Sequence, residues 1–104
     1  MGRRPELHQK LKKLFEYSAK PHVYYQPPES VKLDYPCIVY KLTGLPNKHA
    51  DNLPYFEHRE YELTVIDSDP ESILRENVAK LKWCRFKRAF VSDNLNHFVF
   101  DLNY

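Results

Sequence analysis

Hydrophobic and polar positions along this chain change period several times, and each change marks an element. Between Pro5 and Ser18, Leu7, Leu11, Leu14 and Phe15 recur at helical spacing and form one apolar stripe. Pro5 suits a first turn, and Glu6 beside it meets the positive end of the helix dipole. Ala19, Lys20 and Pro21 end the pattern. His22 to Gln26 then reads as a short edge strand, stopped by Pro27 and Pro28, which cannot donate to a ladder. Cys37 to Thr43 alternates with period two: Ile38, Tyr40 and Leu42 point one way, Val39 and Lys41 the other.

The longest strand signal runs from Glu57 to Asp67. Tyr61, Leu63 and Val65 share a face that Arg59 extends, while Glu60, Glu62 and Thr64 make a polar face giving way to Ile66. Asp69-Pro70-Glu71 reads as a helix start, with the aspartate as cap, and that helix extends to about Lys82. Its inner stripe is Leu74, Val78 and Leu81, flanked by Ile73 and Asn77. Cys84 to Ser92 and Leu95 to Tyr104 are the last two strands, joined by a short turn at Asp93-Asn94. In the first, Phe86, Arg88 and Phe90 share one side by strict alternation, leaving Arg85 and Lys87 on the outer face. In the second, Phe98, Phe100, Leu102 and Tyr104 oppose His97, Asp101 and Asn103.

The order α, β, β, β, α, β, β predicts an α/β (α+β) fold: a mostly antiparallel four- to five-stranded sheet with two helices packed on one face. The stretch Gly44 to Phe56 is too long for a tight hairpin, and its Leu45, Leu53, Tyr55 and Phe56 argue against a purely polar linker.

Composition narrows the function classes. A length of 104 residues gives one domain, 1–104, with a thin core, and thin sheet domains often complete their burial against a partner. Only 2 Gly argue against glycine-rich phosphate loops, whereas 8 Tyr and 6 Phe suit a surface that meets another protein. The net charge of +2 supplies no global field for nucleic acid. Arg3, Arg4, Lys10, Lys12 and Lys13 cluster near the amino end, as a solvated helix face or as a phosphate-contacting patch. Cys37 and Cys84 lack metal-ligand spacing and read as buried thiols, with a disulfide left open. The first ten residues have no apolar core of a signal peptide, and no segment approaches a membrane span, so neither export nor membrane insertion is expected.

Candidate chemistry is sparse. His97 and Asp101 lie four apart on a strand, about 13 Å, too far for a hydrogen-bonded pair. His49 and Asp51 lack a third ligand. Glu60 and Glu62, about 6.5–7 Å apart on one strand face, are either an acid/base or metal pair or a charged outer face that meets Lys or Arg. The alternation of cations and aromatics in Arg85 to Phe90 also occurs in single-strand nucleic-acid binders, so a small nucleic-acid-binding module using Arg85, Lys87, Arg88 and the basic amino-terminal helix is the alternative reading. No catalytic, cofactor-binding or metal-binding residue is assigned.

The runs DYPCIVYKL (34–42), NLPYF (52–56), REYELTVIDSDP (59–70) and above all VSDNLNHFVF within CRFKRAFVSDNLNHFVFDL (84–102) resemble small proteins of the head–tail module of long-tailed bacteriophages. The family is that of the tail terminators, also called tail completion or head–tail joining proteins. The resemblance implies a structural virion protein of the tail or neck, made in the host bacterial cytoplasm, that forms a hexameric ring. Such a ring caps the tail tube and joins it to the head connector, without cofactor, membrane or specific nucleic acid. Its implied partners are other copies of itself, the tail tube protein and the head-completion or connector protein. A ring subunit needs two different surfaces that meet head to tail. On this reading the 44–56 loop, with Leu45, Asn47, Lys48, His49, Asp51, Leu53 and Tyr55, supplies an arm. Glu60 and Glu62 against Arg85, Lys87 and Arg88 supply opposite charges that set register between neighbours.

Overall fold

The computed structural model describes residues 3–15, 21–44 and 59–104. Its elements run α1 (Arg3–Lys13), β1 (Val23–Tyr25), β2 (Cys37–Gly44), β3 (Glu60–Asp67), α2 (Ile73–Ala79), β4 (Cys84–Ser92) and β5 (Leu95–Asn103). The strands form one sheet in the order β1-β2-β3-β5-β4, antiparallel except for the β1–β2 pair. The expected mostly antiparallel α+β fold is therefore present, with β1 adding a parallel edge. The expected hairpin of β4 and β5 is also present. Asp93 and Asn94 both take positive φ, 54° and 62°, the conformation that suits a two-residue turn to the twist of its strands.

Side-chain alternation sorts the sheet into two faces. Ile38, Tyr40, Tyr61, Leu63, Val65, Phe98, Phe100 and Leu102 lie on one face and form a single buried cluster with Leu7, Leu11 and Phe15 below α1 and Leu74 and Val78 of α2. The two helices are tied together where α1 ends: the Asn77 side-chain amide of α2 donates to the Leu14 carbonyl at 3.0 Å, satisfying one of the acceptors that a helix end leaves open.

Both helices differ from their sequence expectation at the ends. α1 begins at Arg3 and closes at Lys13, where Leu14 and Phe15 turn back through bonds to the Leu11 and Lys12 carbonyls; residues 16–18 lie outside the described part. α2 is capped by Ser72 rather than Asp69, and it stops at Ala79, short of Lys82. Ser72 Oγ accepts from the Arg75 N–H at 3.2 Å, while Asp69 accepts from the Glu71 N–H in a separate turn ahead of the helix. The Asp-Pro-Glu signal is a real turn signal, but the buried serine holds the true cap position. β3 is Glu60–Asp67, its expected start at Glu57 lying outside the described residues; Arg59 precedes it, exchanging backbone hydrogen bonds with Tyr104.

Three tyrosines explain part of the aromatic excess. Tyr40 lies between Tyr25 and Tyr61, with ring centroids 4.8 and 5.9 Å away, and is fully buried. Its hydroxyl is 2.8 Å from His8 Nδ1 and also accepts from Arg4. The phenol can give its hydrogen to His8 Nδ1 when that nitrogen is unprotonated. Burial, then the charges of Lys12 and Arg4, lower the His8 pKa from 6.5. The unfolded chain thus binds this proton more tightly than the native one. The stabilising contribution is complete above pH 6.5 and is lost as pH falls through the lower, folded value. Chemical denaturation at successive pH values should show a decline starting below pH 6.5 that His8→Gln removes; a parallel decline in that variant would assign the proton elsewhere.

Candidate functional site

The second sheet face carries no described helix, and four strands share one charged row across it. Lys41 on β2 is registered against Glu62 on β3, Glu62 against Asp101 on β5, and Asp101 against Arg85 on β4. The row reads cation, anion, anion, cation. Two carboxylates directly opposite each other on adjacent strands repel. The remedy is a β-bulge: the β4–β5 register shifts between Phe86 and Arg88, leaving Lys87 as the extra residue. Lys87 Nζ then lies 3.1 Å from Glu62 Oε2 and 3.8 Å from Asp101 Oδ1, while Lys41 Nζ approaches Glu62 Oε1 at 3.6 Å. Glu62 is the centre of this lattice. Burial by itself raises its pKa, but the Lys87 hydrogen bond and the charges of Lys41, Lys87 and Arg88 outweigh it, and the carboxyl sits below its ordinary 4.5.

The same bulge corrects the reading of β4. Strict alternation puts Phe86, Arg88 and Phe90 together. In the structure Phe86 and Ala89 face the helices, aligned with Phe100 and Phe98 of β5, while Arg88 and Phe90 share the open face with Arg85 and Lys87. Nor are the two phenylalanines ordinary core: Phe86 is 54% and Phe90 43% exposed. Phe90 stacks on His97 at 4.7 Å and 14° between planes, next to the row Val39, Thr64, Val99 and Arg88. This face thus grades from a charged end at Glu60, Glu62 and Asp101 to an apolar end where Cys37 and Ile66 are buried and Phe90 stands exposed at the β4 margin.

Of the residues selected from sequence, Glu60, Glu62, Arg85, Lys87 and Arg88 all lie on this face or at its β4 margin. Leu45, Asn47, Lys48, His49, Asp51, Leu53 and Tyr55 lie outside the described residues. Sequence reasoning missed Lys41 and Asp101 as neighbours of Glu62: the first follows from the β2–β3 register, the second from β5 entering between β3 and β4. Gly44 has a related role at the charged end. A Cβ there would come within 3.1 Å of the Glu60 side chain, so glycine lets Glu60 lie across β2.

A shallow depression of about 360 Å³, lined by Thr43, Glu60, Arg85, Lys87, Asp101 and Asn103 among others, lies at the charged end, open to solvent. Its carboxylates lie beside lysines and arginine on the same face. Among the described residues no three His, Cys, Asp or Glu side chains are grouped to hold a metal ion. Both thiols are free, and burial pushes them up, Cys37 to about 12 and Cys84 to about 11, which keeps them protonated and poorly nucleophilic at neutral pH. No described helix is long and apolar enough to cross a membrane. Comparison of the chain with protein-family models, curated proteins and solved structures finds no match.

Proposed function

We propose that this chain is a structural subunit that works by assembling, and specifically that it forms a ring at the end of a phage tail tube, joining tube to head connector. The observation that carries the reading is the open sheet face. Its charges are arranged in a flat row of mixed sign, Lys41, Glu62, Asp101 and Arg85, with no convergence on an enclosed cavity. Such a row supplies register and orientation between protein surfaces more than raw affinity. The resemblance of the segments at 34–42, 59–70 and 84–102 to tail terminators adds the choice of assembly, and the small core adds a reason to seek a neighbour.

A second reading, a single-strand nucleic-acid module, has one observation in its favour: the Phe90–His97 stack beside Arg88. Against it, Glu62 and Asp101 occupy Lys87 on the same face. The two readings separate in one set of measurements. Electron microscopy and light scattering over a concentration series should show six-fold rings that also add to the ends of purified tail tubes. A chain that stays monomeric and leaves tube ends bare overturns the ring. A mobility shift with single-stranded DNA that fades steeply with salt would favour the second reading.

A further inference from the structure

We propose that the outer edge of β4, with the apolar groove beside it, is a strand-addition site for an extended acidic segment of a partner protein. The site shares Arg85 with the open-face row, but its test does not depend on ring assembly. β4 closes the sheet order, and β5 is its only strand neighbour among the described residues. One row of its backbone N–H and C=O groups therefore has no ladder partner in the sheet. The strand is nine residues long, and every residue after Cys84 is exposed, Val91 at 68%.

A strand laid along this edge would send its side chains alternately to the two faces, and the two faces ask for different chemistry. On the helix side, Phe86 and Ala89 border a groove of about 330 Å³ between β4 and α2, lined also by Phe98, Phe100 and Ala79 and by Arg75 and Glu76. Apolar side chains fit there. On the open side stand Arg85 and Arg88, with Phe90 beyond them, and β4 contains no acid. Asp or Glu at the alternate positions would meet them. The edge thus selects an acidic–apolar alternation, by backbone pairing for affinity and side-chain pockets for specificity.

Charge also argues against the other occupants. A second β4 would add three more cations to an edge that already holds Arg85, Lys87 and Arg88 and would supply no acid to pair them. The chain has one acidic–apolar alternation of its own among the described strands, Glu60-Tyr61-Glu62-Leu63, but it lies in β3 between β2 and β5. The opposite edge, β1, is only Val23–Tyr25 and carries no acid. A nucleic-acid strand would satisfy the arginines but could not use the apolar groove on the other face. The cations and the bulge at Lys87 are edge protection against self-pairing, and they leave the regular run Arg88–Ser92 open to an acidic strand.

The test uses the full chain and a fluorescent synthetic peptide in which glutamates alternate with valines and phenylalanines. Two controls carry lysine for every glutamate, or the same composition in blocks. The alternating acidic peptide should bind, with amide exchange slowed across Arg88–Ser92. Both controls should bind about ten-fold more weakly or not at all, the change expected when two cross-strand pairs turn from attractive to repulsive or lose their register. The double variant R85E/R88E should reverse the preference, taking the lysine peptide over the glutamate one. Equal binding of the alternating and blocked peptides overturns the proposal, as does the absence of binding. Slowed exchange at Arg88–Ser92 in a peptide-free dimer, or displacement of the peptide by single-stranded DNA, overturns it in favour of a second copy or a nucleic acid.

Discussion

Phe100→Ala should lower the unfolding free energy by about 3–5 kcal/mol, whereas Phe86→Ala, on the ring that touches it, should cost no more than about 1.5 kcal/mol. The two rings meet edge to face, centroids 5.5 Å apart, and their residues are registered opposite each other on β5 and β4. They differ in burial. Phe100 is 2% exposed, in the second-to-last strand of the sheet, with Leu63 of β3 beside it and α2 above. Truncation there removes a full aromatic transfer term and leaves a cavity that neighbouring strands cannot collapse into. A domain of this kind has only about 5–15 kcal/mol in total, so the variant should sit close to unfolding at room temperature. Phe86 is more than half exposed on the last strand, and truncation forfeits mainly the ring–ring contact. Urea titrations of the two variants measure both values. If Phe86→Ala proves as costly as Phe100→Ala, then Phe86 is core and the groove beside it is not an open site.

That contrast also shows what was legible in the sequence. The helix-facing set on β2, β3 and β5 follows strict alternation, since burial of one face fixes register in a sheet that is wet on the other. The Asp93-Asn94 turn was readable because only a few residue types take two successive positive φ values. Two things were not readable. The first is the bulge at Lys87, which nothing local announces: no glycine marks it, and its cause lies in Glu62 and Asp101, brought together from strands far apart in sequence. One inserted residue moved Arg88 and Phe90 to the open face, beside Arg85 and Lys87. The second is the position of β5 between β3 and β4, a tertiary choice that set Asp101 opposite Glu62 and brought Lys87 within reach. Helix ends were displaced for a simpler reason: Asp69 and Ser72 both carry capping side chains, and burial of Ser72 decided between them.

Glu62→Lys should destabilise the fold by about 2 kcal/mol, between the ~0.5 kcal/mol typical of an exposed pair and the ~3–5 kcal/mol of a buried one broken on one side. The intermediate value follows from the exposures: the Glu62 side chain is 14% exposed, but Lys41 and Lys87 are 61% and 42% exposed, so water screens the cations more than the anion. The substitution would place a third ammonium between two others and leave Asp101 as the nearest acid. Glu62→Gln keeps an acceptor for Lys87 and should cost nearer 1 kcal/mol. Adding Lys87→Gln to it should recover part of that loss, a coupling that a double-mutant cycle reads directly. Proton linkage gives an independent check. The native carboxyl of Glu62 holds its proton less tightly than the unfolded one, so its contribution is whole above pH 4.5 and is lost as pH falls through the folded value. In Glu62→Gln that acid-side decline should shrink, while the one set by His8 below pH 6.5 should persist. A Glu62→Lys protein as stable as the parent would mean that the row contributes nothing to folding. The opposite result makes Lys41, the more exposed of the two lysines on Glu62, the residue to reverse when testing assembly, since Lys41→Glu alters the face presented to a neighbour while leaving the Glu62–Lys87 bond in place.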